Sequence, residues 1–210
     1  MATAPRFLQN GIPYHIYNRG NRKDRIFLSY KDYQRFLRRV EEYKEEMAIQ
    51  LICYSLMPNH FHLVLIQHDE EEGITKFMHK LCTGYSKYFN IKYDLVGRLL
   101  QQRFQAKIVE SDEYLLHLSR YIHLNIISDD LDELLFSVNS TPGVEFTAVR
   151  QKLHDFQWSS YNEYRTRQLG LCDKDLLLSY FSTTNPKLSY EAFVEGGIPE
   201  SDREHIIDFL

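Results

Sequence analysis

Residues 55–67, SLMPNHFHLVLIQ, are the stretch that decides the fold. The His60-Phe61-His62 triplet leads into branched apolar residues at 63–66, and a run this short and apolar predicts a buried strand. Because side chains alternate along a strand, His60 and His62 should share one face, with Phe61 on the other. Two imidazoles at this spacing can bind one divalent cation. The alternative is a pair of surface histidines with no metal.

The neighbouring segments predict the elements around this strand. Residues 49–57 form a second strand, and the Pro-Asn turn that follows it makes the two strands an antiparallel hairpin. Residues 14–18 alternate as a first strand, and residues 97–110 read as a loop entering another. Apolar residues at helical spacing predict two amphipathic helices, at 29–46 and 73–92.

Composition bounds the class of protein. The chain has 210 residues, of which 43% are hydrophobic and 14% aromatic, so it should form a globular core. No apolar run is long enough to span a membrane, and residues 1–10 lack the apolar segment of a signal peptide. Three widely spaced cysteines indicate neither a disulfide framework nor a cysteine-based zinc site. We expect a cytoplasmic protein.

The charge of the chain is divided between its two parts. The net charge is -4, but residues 1–128 carry 18 Lys and Arg against 14 Asp and Glu, whereas the remainder is acidic. Cations beside aromatic residues in the first part suit contact with single-stranded nucleic acid, with a merely solvated surface as the alternative. The candidates for DNA binding are Arg19, Arg22, Lys23, Arg98, Arg103 and Lys107.

A third helix, over residues 112–125, supplies a possible nucleophile. Ser111 is in the position of an N-cap, and acidic residues follow in the first turn. Tyr121 and Asn125 are four residues apart and therefore share one face. A phenol is a weak nucleophile at neutral pH, so the phenol or the phosphate that it attacks must be activated, which a divalent cation can do.

Five blocks of the chain carry a resemblance to a known family: YHIYNRGNRKDRIF (14–27), MPNHFHLVL (57–65), QQRFQAKIVE (101–110), YLLHLSRYIHLN (114–125) and WSSY (158–161). In this order they resemble the blocks of the single-tyrosine HUH transposases, which include insertion-sequence and REP-associated transposases. It implies an α+β fold with a ferredoxin-like antiparallel sheet, helices packed on that sheet and a small C-terminal helical extension. It also implies cleavage of single-stranded DNA through a covalent 5′-phosphotyrosine.

The resemblance assigns roles to individual residues. His60 and His62 fall on the metal-binding pair, Tyr121 on the nucleophile, and Asn125 on the polar position that completes the metal site. The cofactor implied is Mg²⁺ or Mn²⁺, and the two imidazoles shift the preference toward Mn²⁺. The partners implied are single-stranded DNA, with hairpin ends, and a second copy of the chain in a homodimer.

The family usually continues Asn-Pro-Val after the nucleophile helix, but this chain continues from Asn125 with two isoleucines. Without the proline, the end of the helix should be less sharp. We expect a catalytic domain over residues 1–135 and an extension over residues 136–210 that packs on it.

Two functions of different classes remain open. The first is a metal-dependent DNA nicking and strand-transferring enzyme, and the second is a non-catalytic or domesticated DNA-binding protein of the same fold. A phosphoesterase with paired His-x-Thr/Ser elements is a distant third, since the chain has no second element of that type.

Overall fold

The structure is a computed structural model that describes residues 8–68, 72–127 and 144–196, with only the backbone of 144–149. The chain divides into two compact units. The first comprises residues 1–52 and 56–109, and the second comprises residues 53–55 and 110–210. The domain boundary expected between residues 135 and 136 lies outside the described residues.

The first unit contains the predicted antiparallel sheet, except for residues 53–55 of its second strand, and two helices. Four strands lie in the order β2-β3-β1-β4, and with the helices they give the expected ferredoxin-like α+β fold. The elements in chain order are β1 (Tyr14–Arg19), α1 (Tyr30–Glu46), β2 (Ile49–Met57), β3 (His60–Gln67), α2 (Gly73–Tyr93) and β4 (Gln105–Ile108).

The register of β1 decides which residues share a face of the sheet. Tyr17 lies opposite His62, and Arg19 lies opposite His60, both on β3. Residues directly opposite each other in antiparallel strands point to the same side, so these four side chains share one face. The opposite face carries Phe61, whose ring lies 5.0 Å from that of Phe36 on α1. The helices therefore cover the Phe61 face.

Asp32 joins the start of α1 to the end of α2. Its carboxylate is fully buried and accepts hydrogen bonds from the backbone amides of Leu28 and Ser29, which closes the N-terminus of α1 in a capping box. It also accepts bonds from Tyr93 and Lys92 on α2, at 2.7 and 2.5 Å. Burial alone would raise the pKa of Asp32, but the hydrogen bonds from Lys92, Tyr93 and Leu28 lower it to about 2.

The second unit is helical in its described parts. Ser111 caps α3 as predicted, because its hydroxyl accepts a hydrogen bond from the amide of Tyr114 at 3.2 Å. The helix passes without a break into a 3₁₀ turn at Asn125–Ile127, in keeping with the missing proline. The described elements of the second unit are α3 (Asp112–Leu124), α4 (Val144–Asp155), α5 (Tyr161–Thr166), α6 (Asp175–Leu178), a 3₁₀ turn (Pro186–Leu188) and α7 (Tyr190–Glu195).

Two predictions from the sequence concern membrane-spanning segments and disulfides. Within the described ranges, no helix has the length and apolar character needed to cross a bilayer. None of the three cysteines, all of which lie in the described residues, forms a disulfide.

Candidate metal and nucleic-acid site

The two histidines of β3 lie side by side on the face of the sheet away from Phe61. Their ring centroids are 5.0 Å apart and the rings are nearly perpendicular, at 86°. Two imidazoles whose nitrogens each lie about 2.1 Å from one ion can have this separation. His60 is partly exposed, whereas His62 is 3% exposed. The pair is therefore arranged as strand alternation predicts, with one ring open to solvent.

Each of these rings has a hydrogen-bond partner at Nδ1. The Nδ1 of His60 lies 2.7 Å from Oδ1 of Asn59, in the turn before β3. The Nδ1 of His62 lies 2.9 Å from Nε2 of His15, on β1. Partners of this kind orient metal-binding histidines by leaving the other ring nitrogen for the ion.

The electrostatic surroundings keep the buried rings neutral. Burial, and after it the neighbouring His15 and His60, hold the pKa of His62 well below its ordinary value. Burial and the nearby Lys107 lower the pKa of His15 to about 3. A neutral imidazole is the form that binds a metal ion, so the residues present fit a divalent cation at this face.

The six cations predicted to bind DNA all lie in the first unit. Arg19 lies opposite His60, and Lys107 lies opposite His15, so two of them stand on the same face of the sheet as the histidine pair. Four are exposed: Arg22, Lys23, Arg98 and Arg103. A polyanion that reaches the histidine pair would therefore meet positive charge beside it.

The loops that carry the exposed cations are joined at one end of the sheet. The amide of Gly20, after β1, donates to the carbonyl of Asn59 at 2.7 Å, and the amide of Asn21 donates to the carbonyl of Leu99 at 2.8 Å. Arg22 has a positive φ of 57°, which is uncommon for a side chain other than glycine. The turn after β1 is thus held between the loop before β3 and the loop before β4.

Gly20 is required in this turn by lack of space. A Cβ atom built there would lie 1.9 Å from the backbone carbonyl oxygen of Asp24. Any side chain at this position would displace the turn, because that oxygen belongs to the backbone and cannot rotate away.

The proposed nucleophile and the proposed third metal ligand belong to the second unit. Tyr121 lies in the last two turns of α3, and Asn125 begins the 3₁₀ turn that follows. Their side chains are 4% and 2% exposed. Both lie on a continuous helical segment, as the spacing of four residues predicts.

A buried polar network flanks Tyr121 on the same helix. His123 Nε2 lies 2.8 Å from the hydroxyl of Ser160, and His123 Nδ1 lies 2.8 Å from the hydroxyl of Tyr190 on α7. The Tyr190 hydroxyl donates to Ser119 at 3.0 Å. Burial lowers the pKa of His123 to about 3. Nothing in the sequence signals this network, since Ser119 and His123 bond to residues 37 to 71 positions away.

A second cluster of potential metal ligands lies elsewhere in the second unit. Among the described residues, His154, Glu191 and Glu195 form a group of three whose ligand atoms all lie within 4.8 Å of one another. Glu195 already accepts hydrogen bonds from His154 at 2.6 Å and Tyr161 at 2.8 Å, and it forms an ion pair with Arg150 at 2.6 Å. These contacts compensate its charge, so the geometry of the cluster needs no ion.

Two residues at the histidine pair were absent from the sequence prediction. Asn59 was interpreted only as part of a turn, and His15 only as part of an alternating strand. The sequence held one usable signal for His15. This residue lies two positions before Tyr17 in a predicted strand, on the face that β1 would share with β3 if the two strands paired.

The fold and the histidine pair together define the class of this protein. A ferredoxin-like sheet with helices on one face and a histidine pair on the other defines an α+β protein with a candidate metal centre. The family model "Transposase IS200 like" matches residues 9–125, and the chain belongs to this family.

One solved structure agrees with this fold. A REP-associated tyrosine transposase bound to a REP hairpin matches with a TM-score of 0.57 and 14% identity, over 90% of this chain and 97% of that one. A putative transposase from Deinococcus radiodurans R1 matches with a TM-score of 0.39 and 15% identity, over 58% and 95% of the two chains. No curated protein matches the sequence.

Proposed function

We propose that this protein is a divalent-metal-dependent transposase that cleaves and rejoins single-stranded DNA through a covalent 5′-phosphotyrosine. The observation that carries the proposal is the His60 and His62 pair, which shares one face of the sheet with Arg19 in a chain of the IS200-like transposase family. A cation site next to positive charge suits a phosphodiester substrate.

The metal site would use two imidazoles and one amide. His60 and His62 offer ring nitrogens, and Asn125 offers a side-chain oxygen. We propose Mg²⁺ or Mn²⁺, because hydrated ions of this kind suit phosphate oxygens and the imidazoles favour Mn²⁺. When bound, the ion would polarise a phosphoryl oxygen and orient the phosphate for in-line attack.

Tyr121 would be the nucleophile. Its phenolic oxygen forms a bond to the phosphorus, and the bond between the phosphorus and the 3′ oxygen breaks. The departing oxygen gains the proton that the phenol loses, which leaves a free 3′-hydroxyl and a 5′-phosphotyrosine. Attack by a 3′-hydroxyl on the phosphotyrosine reverses these bond changes and rejoins the strand.

The cations of the first unit would hold the DNA. Phosphate contacts fix the position of a strand without reading its sequence, and exposed side chains such as Arg22 and Lys23 are suited to them. We propose hairpin-containing DNA as the substrate. The structurally similar REP-associated transposase, which is bound to a REP hairpin, supports this choice.

The formation of a covalent adduct tests the proposal. The protein is incubated with labelled single-stranded hairpin oligonucleotides of varied sequence and Mn²⁺, and the products are separated under denaturing conditions. Wild type should give an adduct that Tyr121→Phe does not give. Tyr114→Phe, on the same helix, is the matched control and should keep the adduct. An adduct that persists in Tyr121→Phe would contradict the assignment of the nucleophile.

The alternative is a non-catalytic DNA-binding protein of the same fold. One observation favours it: Tyr121 is only 4% exposed. This alternative predicts that wild type binds the hairpin oligonucleotides in a mobility-shift assay but forms no adduct with any of them.

We also propose that the protein works as a homodimer, as the resemblance implies. Light scattering after size exclusion should give twice the 25.1 kDa of one chain. A mixture of His60→Ala with Tyr121→Phe should then regain adduct formation if each active site takes its tyrosine from the other copy. Without that exchange, the mixture should be as inactive as the two separate variants.

A further inference from the structure

The two histidines of β3 differ in how firmly their protons are placed. For His60 the partner is an amide oxygen, Oδ1 of Asn59, which can only accept a hydrogen bond. The orientation of this amide is supported by its nitrogen, which donates to the carbonyl of Lys23 at 3.4 Å. In the neutral form of His60 the proton therefore lies on Nδ1, and Nε2 carries the lone pair.

The partner of His62 can act in two ways. Nε2 of His15 and Nδ1 of His62 are 2.9 Å apart, so one of these two nitrogens carries the proton of the hydrogen bond and the other accepts it. If His62 carries the proton, its Nε2 keeps the lone pair that a metal ion needs. If His15 carries it on Nε2, the neutral His62 ring has its proton on Nε2 and cannot bind a cation there.

His15 is held firmly in this position. It is 0% exposed, and its ring stacks on His62 with centroids 5.1 Å apart and planes 20° apart. It also stacks on Tyr17, with centroids 4.8 Å apart. The register of β1 against β3 fixes the approach, since His15 lies opposite Val64, two residues beyond His62. The contact is a diagonal one between neighbouring strands.

We propose that His15 is a positioning residue that accepts the Nδ1 proton of His62 and so keeps Nε2 of His62 available to the metal ion. This role rests on the proposed function, in which His60 and His62 bind the cation. His15 itself contacts neither the ion nor the DNA in this role. It acts through the orientation and protonation of His62, as hydrogen-bonded partners of metal ligands commonly do.

Two substitutions separate hydrogen bonding from packing. His15→Gln keeps an amide oxygen that can accept from His62, whereas His15→Phe keeps a ring of similar shape without an acceptor. Mn²⁺ affinity is measured by electron paramagnetic resonance of the free ion, with melting temperature as the check on folding. We expect His15→Phe to weaken Mn²⁺ binding about 10- to 100-fold, and His15→Gln to stay within about threefold of wild type. His68→Gln, which changes an exposed histidine, should not alter it.

A measurement without metal tests the same role. Nitrogen-15 chemical shifts of the histidine rings distinguish the two neutral forms. The metal-free wild type should show His62 protonated at Nδ1, and His15→Phe should move this population toward Nε2. Wild type with its proton on Nε2 of His62 would overturn the proposal, even if His15→Phe fails to fold.

The outcomes also separate this role from the proposed function. Wild-type affinity in a folded His15→Phe, together with lost affinity in His60→Ala, would overturn the role of His15 and leave the metal site standing. If wild type binds no Mn²⁺, or if His60→Ala binds it as wild type does, the metal site itself is wrong.

Discussion

Each of the two units buries a histidine, but the partners of the two rings differ. In the first unit, the ring of His15 meets a second imidazole, that of His62, which lies beside the partly exposed His60. In the second unit, His123 is enclosed by the hydroxyls of Ser160 and Tyr190. Burial lowers the pKa of both His15 and His123 to about 3.

The difference shows that burial and a lowered pKa do not by themselves mark a functional histidine. In the network of His123, Ser119 donates to the carbonyl of Leu116 and accepts from Tyr190, and the hydroxyl of Ser160 also contacts the carbonyl of Tyr54. A hydrogen-bonded network of this kind stabilises a fold. The histidines of β3 have a partner at Nδ1 and are suited to a ligand at Nε2. What distinguishes the two buried histidines is therefore the partner of each ring, not burial.

The largest expected effect compares the two groups that could bind a metal. His60→Ala should lower Mn²⁺-dependent adduct formation about 10³-fold, or about 4 kcal/mol, because it removes one of two imidazole ligands. His154→Ala, in the cluster of the second unit, should leave the rate within about twofold, since Glu195 there is already compensated by Arg150. Single-turnover rates on one hairpin oligonucleotide measure both. If the rate falls strongly in His154→Ala and not in His60→Ala, the metal site lies in the second unit instead.

The next effect concerns how the contribution of His123 to the free energy of unfolding depends on pH. In the unfolded chain the ring of His123 takes up a proton near its ordinary pKa of 6.5, but in the folded chain its pKa is only about 3. Its stabilising contribution is therefore complete above pH 6.5 and is lost as the pH falls toward 3, by about 3 kcal/mol at pH 4.

Urea unfolding at pH 7 and pH 4 measures this contribution. The single tryptophan, Trp158, belongs to the second unit and reports its unfolding by fluorescence. His123→Gln should lose less stability than wild type between these two pH values. An equal loss in both proteins would mean that His123 is already protonated in the folded chain.

The first unit should respond to acid in a lower range, through a carboxylate. Asp32 has an ordinary pKa of 3.8 and a folded value of about 2, so its contribution of about 2 kcal/mol is complete above pH 3.8 and is lost as the pH falls toward 2. Asp32→Asn should lower the free energy of unfolding at pH 7 by this amount. Calorimetry at pH 7 and pH 2.5 measures it, and the two proteins should converge at the lower pH. A constant difference would contradict the ionised, hydrogen-bonded carboxylate.

The smallest expected effect concerns a single surface cation. Arg22→Ala should weaken binding of hairpin DNA a few-fold and reduce the slope of log affinity against log salt by about 0.7, the value for one phosphate contact on a single strand. Lys187→Ala, an exposed cation of the second unit, is the matched control and should change neither quantity. Titrations by fluorescence anisotropy at three salt concentrations measure both. Equal slopes in all three proteins would remove Arg22 from the DNA contacts.

The sequence by itself determined the elements and the faces of the first unit. Alternation in residues 60–66 predicted that His60 and His62 share a side, and helical spacing located α1 and α2 close to their observed bounds. These features follow from local periodicity, which depends only on the conformation of a single segment. The order of the sequence blocks also identified the family, which the match to residues 9–125 confirms. Tyr121 as nucleophile stays a prediction.

Tertiary structure alone decided which side chains meet. His15 and His62 are 47 residues apart, and their hydrogen bond exists only because β1 pairs with β3 in one particular register. A shift of one residue would turn His15 to the opposite face. The network of His123 likewise depends on residues 37 and 67 positions away. Periodicity tells which face a side chain occupies, whereas its neighbours there depend on pairing and packing between distant segments.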